Sequence, residues 1–207
     1  MEGNMVRPQG MRRWAAGWLV ATLGMTAASL PTGTLAKTPD IELDQKVIEY
    51  AVDGDSARAI RESINAKREE ALGDGMHFDG YTKWRVDWNF RYRQRGRLCV
   101  TEAVKVPVHV IIQVPSLTAK PRSDALNAKW QRYREALMQH EQKHADIAVA
   151  AGTAVLAALS DPTPEPCDSI YKSRSEAAQK IVADAAIADR EMDVATSHGV
   201  KDGARFP

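Results

Sequence analysis

The pattern that most constrains this chain is a long stripe of inward-facing residues with no proline to interrupt it. Leu126, Trp130, Tyr133, Leu137, His140, His144, Ile147, Ala151, Ala154 and Ala158 follow one another in alternating steps of four and three. Such steps keep every position on one face of a helix. Ser123-Asp124 supplies the opening cap, and the proline-rich stretch from Asp161 to Pro166 forbids continuation. The spacing therefore predicts one helix over Asp124–Leu159, long enough to form the spine of a domain.

Two histidines stand in that stripe where apolar residues are expected. His140 and His144 are about 40° apart on the helical wheel and one turn from each other. Polar rings on an inward face cost free energy unless something satisfies them. A metal ion satisfies both at once. Between them lies Glu141, about 60° round from His144. From there a carboxylate reaches a water held by the ion more readily than the ion itself. His140-Glu141-Gln142-Lys143-His144 is thus a His-Glu-x-x-His motif, the arrangement in which two histidines hold zinc and the glutamate serves as general base of a metallopeptidase. A chance match is expected roughly once in a hundred sequences of this kind, and a helical, inward-facing context makes it rarer.

A catalytic zinc site takes three protein ligands and leaves one position open. The candidates for the third lie near the C-terminus. His198 is the first choice and Asp193 the second, with Glu191 third because it fits the outer side of a helix. Were Asp193 the ligand, His198 would be free to stabilise developing oxyanion charge. His77, in a glycine-rich loop, and His109, facing away from a valine stripe, are weaker candidates.

The rest of the chain reads as strands followed by helices. Lys46–Val52 reads as a short strand and Ser56–Lys67 as a helix with Ile60 and Ile64 inward. Gly73–Gly80 reads as a loop. Trp84, Val86, Trp88, Phe90 and Tyr92 alternate with polar residues, and Val104 to Val114 repeats the alternation, so the two segments are expected to form an antiparallel hairpin. Pro107 inside the second strand implies a sheet edge or a bulge, and an open edge invites an extended peptide. A last helix is expected over Ser169–Met192, with Ile170, Ala177, Ile181, Ala185 and Ala188 inward, before an irregular tail over Asp193–Pro207. The expected class is α+β: a small antiparallel sheet packed on the long motif-bearing helix, with a second C-terminal helix behind, as in zincins.

The N-terminus has a different character. Arg7, Arg12 and Arg13 precede an apolar stretch from Trp14 to Leu30, and Thr34-Leu35-Ala36 offers small residues for cleavage. This is the pattern of a secretory signal peptide over residues 1–36. Residues 37–45 then read as a flexible lead-in and 46–207 as the metallohydrolase domain. Export places the protein in the periplasm or outside the cell. There, Cys99 and Cys167 are expected to form a disulfide. The formal net charge of +1 gives no reason to expect nucleic acid as a partner. No second apolar stretch suggests that the mature domain spans a membrane.

These residues together resemble the bacterial family known as domain of unknown function 922, described as predicted secreted zinc-dependent proteases. The resemblance is carried by Tyr50, Asp53-Gly54-Asp55-Ser56-Ala57 and Ile64-Asn65. It continues through Tyr81-Thr82, Trp84, Val86, Trp88 and Cys99. Trp130 and Tyr133 then lead into the motif, followed by Cys167 and Asp193-Val194-Ala195-Thr196-Ser197-His198-Gly199. The resemblance implies export, bound zinc and a peptidase-like site, and it favours the tail aspartate and histidine as site residues. It brings no substrate. The leading expectation is an exported zinc peptidase acting on peptide or protein substrates. The alternatives are a non-catalytic, zinc-stabilised binding module of the cell envelope, and a metal-free interaction protein using the Trp84/Trp88 hairpin.

Overall fold

The structure is a computed structural model and describes residues 40–68, 78–119, 121 and 123–207. The signal-peptide segment and His77 lie outside the described residues. Six strands and three α-helices occur among them: β1 (Glu42–Val52), α1 (Ala57–Lys67), β2 (Tyr81–Val86), β3 (Asn89–Arg95), β4 (Leu98–Lys105), β5 (Pro107–Leu117), α2 (Asp124–Leu159), β6 (Glu165–Pro166) and α3 (Ile170–Thr196), with a 3-10 turn at Val200–Asp202. The class is α+β. None of the described helices is long and apolar enough to cross a membrane.

Each alternating segment forms two strands rather than one. They make two three-stranded sheets, ordered β1-β5-β2 and β3-β4-β6. The expected hairpin breaks between Val86 and Asn89 on one side and at Val106 on the other, so its two halves lie in different sheets. Pro107 sits at this break and opens β5, where its missing N–H costs no ladder bond. It does not mark an edge: β5 is the central strand, and β1 and β2 are the edges. Nor is that sheet purely antiparallel. β2 pairs with β5 antiparallel, but β1 pairs with it in parallel, from Glu42 opposite Pro107 to Val52 opposite Leu117. The expected lead-in is therefore part of β1 from Glu42 onward. Exposed Glu42, Asp44 and Gln45 hide the start of the strand, whose order comes from backbone pairing.

Val108, Val110, Ile112 and Val114 of β5 are buried and face α2. α2 begins where expected, with the Ser123 hydroxyl accepting from the Leu126 N–H. Its buried face follows the stripe as far as His144 and then rotates, through Ala145, Ala148, Gly152, Val155 and Leu159, leaving Ala154 exposed. The cause is periodicity: steps averaging 3.5 residues drift by about 20° per heptad on a straight helix. Gly152 lies on that rotated face because a Cβ there would collide with the Val108 side chain.

α3 runs one turn beyond expectation. Ile170, Arg174 and Ala178 are its buried residues, while Ala177 and Ala188 are exposed. The Arg174 guanidinium donates to the Ala158 carbonyl at 2.8 Å, capping the end of α2, which has no basic residue of its own in its last turn. The tail is ordered against the core. Phe206 is fully buried, with its ring 5.5 Å from that of Trp130 and 5.2 Å from that of Tyr133. Cys99 and Cys167 form the expected disulfide, joining β4 to the stretch between β6 and α3.

Candidate metal centre

α2 presents His140, Glu141 and His144 at its buried face, each at 5% exposure or less. α3 crosses that face and contributes acids one turn apart, Asp189 and Asp193. The Asp193 carboxylate comes between the two rings: its Oδ1 lies 3.1 Å from His140 Nε2 and 3.2 Å from His144 Nε2. One donor atom from each of His140, His144 and Asp193 falls within 4.8 Å of the others, a group able to hold a metal ion. Two imidazole nitrogens and a carboxylate oxygen are a donor set for a first-row transition metal, taken by zinc and by non-haem iron alike. Burial favours the same use, since such rings need a partner.

The surrounding hydrogen bonds orient these groups. Asp189 Oδ1 lies 2.8 Å from His144 Nδ1 and also accepts from the Trp84 indole N–H at 3.2 Å. A carboxylate on the far nitrogen of a ligating histidine fixes its tautomer and leaves Nε2 for the ion. Among the described residues, His140 Nδ1 is buried without a hydrogen-bond partner, and a carboxylate oxygen of Asp202 lies 4.0 Å away. The His140 ring is held by packing instead. A Cβ at Gly199 would sit 2.8 Å from its Cγ, and Gly199 has φ +74°, so both space and backbone conformation call for glycine there.

Charge follows this geometry. Burial works against the anion of Asp193, yet the hydrogen bonds from His140 and His144 outweigh it and hold the carboxyl well below its ordinary range. Burial also opposes the His144 cation, but Asp189 and Asp193 push its pKa up to about 10. Glu141 is raised above its ordinary value, chiefly by burial, although Thr82 and the two histidines act in the other direction. Thr82 of β2 donates its hydroxyl to Glu141 Oε2 at 2.8 Å, so the carboxylate is oriented from the sheet.

The three residues weighed as third ligand occupy distinct places. Asp193 joins the histidine pair. His198 stands at the rim, 41% exposed, with Nδ1 3.4 Å from the other Asp193 oxygen and its ring tilted against that of Phe78, 4.5 Å between centroids. It reaches there because Ser197 and His198 both adopt left-handed backbone, at φ 53° and 52°. Glu191 is exposed and outside the group. His109 lies across the sheet, near Asp44 and Asp87. Asp189 and Thr82 are the partners that the sequence reading missed. The spacing of Asp189 and Asp193, one helical turn, is the signal that was there to find; nothing local marks Thr82.

The model of a bacterial protein family of unknown function, DUF922, matches residues 47–199, and the chain belongs to that family. Neither a curated protein nor a solved structure gives a significant match.

Proposed function

We propose that this DUF922 protein is an exported zinc-dependent peptidase with a zincin-like site. His140, His144 and Asp193 are the metal ligands in this reading, and Glu141 is the general base. The observation that carries it is the convergence of two buried imidazole nitrogens and a half-buried carboxylate oxygen beside a buried glutamate that is not one of them. A structural zinc site has no need of that glutamate. Zinc bound by this group would polarise a substrate carbonyl and bring the pKa of a bound water down to about 7.

The chain's own residues divide the remaining work. Glu141, held by Thr82, takes the proton from the attacking water and passes it to the leaving amine. Its desolvated carboxylate is a stronger base than an exposed one. His198, at the rim beside Asp193, is positioned to donate toward developing oxyanion charge. β2 is an edge strand whose Thr82 touches Glu141, so an extended peptide paired along it would lie across the site. The disulfide supports export, because such bonds persist in oxidising compartments. The N-terminal signal pattern over residues 1–36 supports it too.

Glu141→Gln tests the catalytic assignment. We expect it to retain zinc and to lose peptide hydrolysis by about 10²–10⁴-fold, the usual contribution of a general base. The competing reading is a zinc-stabilised binding module, favoured by the way the group joins α2 to α3. That reading predicts no hydrolysis in either protein, and unfolding when the metal is removed.

A further inference from the structure

The cleft that holds His140, Glu141, His144 and Asp193 has a volume of about 500 Å³ and is also lined by Arg61, Arg68 and Arg205. These arginines come from α1, from the residue that ends it, and from the C-terminal tail. The acids of the cleft are already engaged. Asp79 accepts two bonds from Arg61, each at 2.6 Å, and a third from the Tyr133 hydroxyl at 3.1 Å. Asp189 and Asp193 face the histidines. Among the described residues, Arg68 therefore has only a 3.5 Å approach to an oxygen that Arg61 already holds. Arg205 is exposed and has no ion-pair or hydrogen-bond partner among the described residues. Among the described residues, neither of these two guanidinium charges in the cleft lining has an acid of its own.

A charge excess in a cleft is focused by its low-dielectric walls. Guanidinium is also the side chain whose planar fork matches a carboxylate in two parallel bonds. We propose that Arg68 and Arg205 form a carboxylate-binding subsite, and that the enzyme acts on peptides with a free carboxylate near the scissile bond. The substrate class rests on the peptidase reading; the binding site does not. The carboxylate belongs either to the chain terminus or to an acidic side chain, and both present the same fork to the arginines.

Succinate and its uncharged diamide, titrated into purified protein and followed by NMR, read the subsite apart from catalysis. Succinate is expected to bind and the diamide not to. Affinity for succinate is expected to fall at least about tenfold in the Arg68→Gln/Arg205→Gln double variant, the loss of one good charge-assisted contact. No binding to wild type, or equal affinity for wild type and variant, would overturn the proposal. Equal affinity would mean that succinate sits on the metal or elsewhere.

Hydrolysis of acetylated tetra-alanine as the free acid, as its amide, and as an amide containing one glutamate then identifies the source. Faster cleavage of the free acid assigns the chain terminus, and faster cleavage of the glutamyl peptide assigns a side chain. Succinate binding with no peptide cleaved sinks the peptidase reading and leaves the subsite standing. Cleavage without selective succinate binding does the reverse.

Discussion

Asp189 illustrates how much of a candidate metal site lies outside the group that could hold the ion. It touches no ion in the proposed arrangement, yet it lies 2.8 Å from His144 Nδ1, where a carboxylate would turn the Nε2 of a metal-bound ring toward the ion, and the Trp84 indole N–H donates to it in turn. Replacing it with asparagine keeps the shape and removes the charge. Such partners typically matter 10–100-fold to metal affinity, at about the level of a direct ligand's orientation. We expect Asp189→Asn to weaken zinc binding by about that factor while leaving the fold intact, as competition with a fluorescent chelator would read. Unchanged affinity would mean that helix packing alone orients His144.

Among the secondary-structure elements, Asp79 connects what the chain keeps apart. It binds Arg61 of α1 and Tyr133 of α2, while its own backbone carbonyl accepts from Tyr50 of β1 at 2.6 Å. Burial, and next the Asp79 charge, push the Tyr133 phenol far above its ordinary pKa, so it remains a donor. Asp79→Ala would leave the Arg61 charge partly buried and unpaired. Losing one partner of a buried pair costs about 3 kcal/mol or more, and we expect a loss near that figure in chemical denaturation. A change within about 0.5 kcal/mol, the range of an ordinary surface substitution, would show the pair to be solvated.

Legibility in the sequence followed the physics of each element. α2 and its motif were readable because a buried helical face leaves a periodic trace, as was the cap at Ser123. β1 was half hidden, since pairing in the parallel direction is written in backbone bonds and its first four residues are exposed and, but for Leu43, polar. The break in the hairpin was signalled by Pro107, but its meaning was reversed: the proline opens a central strand rather than marking an edge. His140, Glu141 and His144 were evident. The choice between Asp193 and His198 was not, because it depends on how far α3 continues and on the left-handed turn that follows it.

The whole molecule is held at points distant in sequence. The disulfide closes a separation of 68 residues, and Phe206 returns the C-terminus to the aromatic pair on α2. Cross-links of this kind act largely on the unfolded chain and stabilise by about 2–4 kcal/mol. Cys99→Ser/Cys167→Ser is expected to lose that much, with zinc content unchanged, because neither cysteine belongs to the metal-holding group or lines its cleft. Loss of zinc together with the bridge would show that the two regions fold as one cooperative unit.

In the proposed site, α2 and α3 together hold a metal ion with His140, His144 and Asp193. The most direct test of this reading is elemental analysis of the mature protein, purified without chelators after growth with zinc, beside Asp193→Ala and His198→Ala. Stoichiometric zinc in wild type and His198→Ala, with a marked loss in Asp193→Ala, is the predicted result. Absence of zinc from wild type, or full zinc in Asp193→Ala, would contradict it.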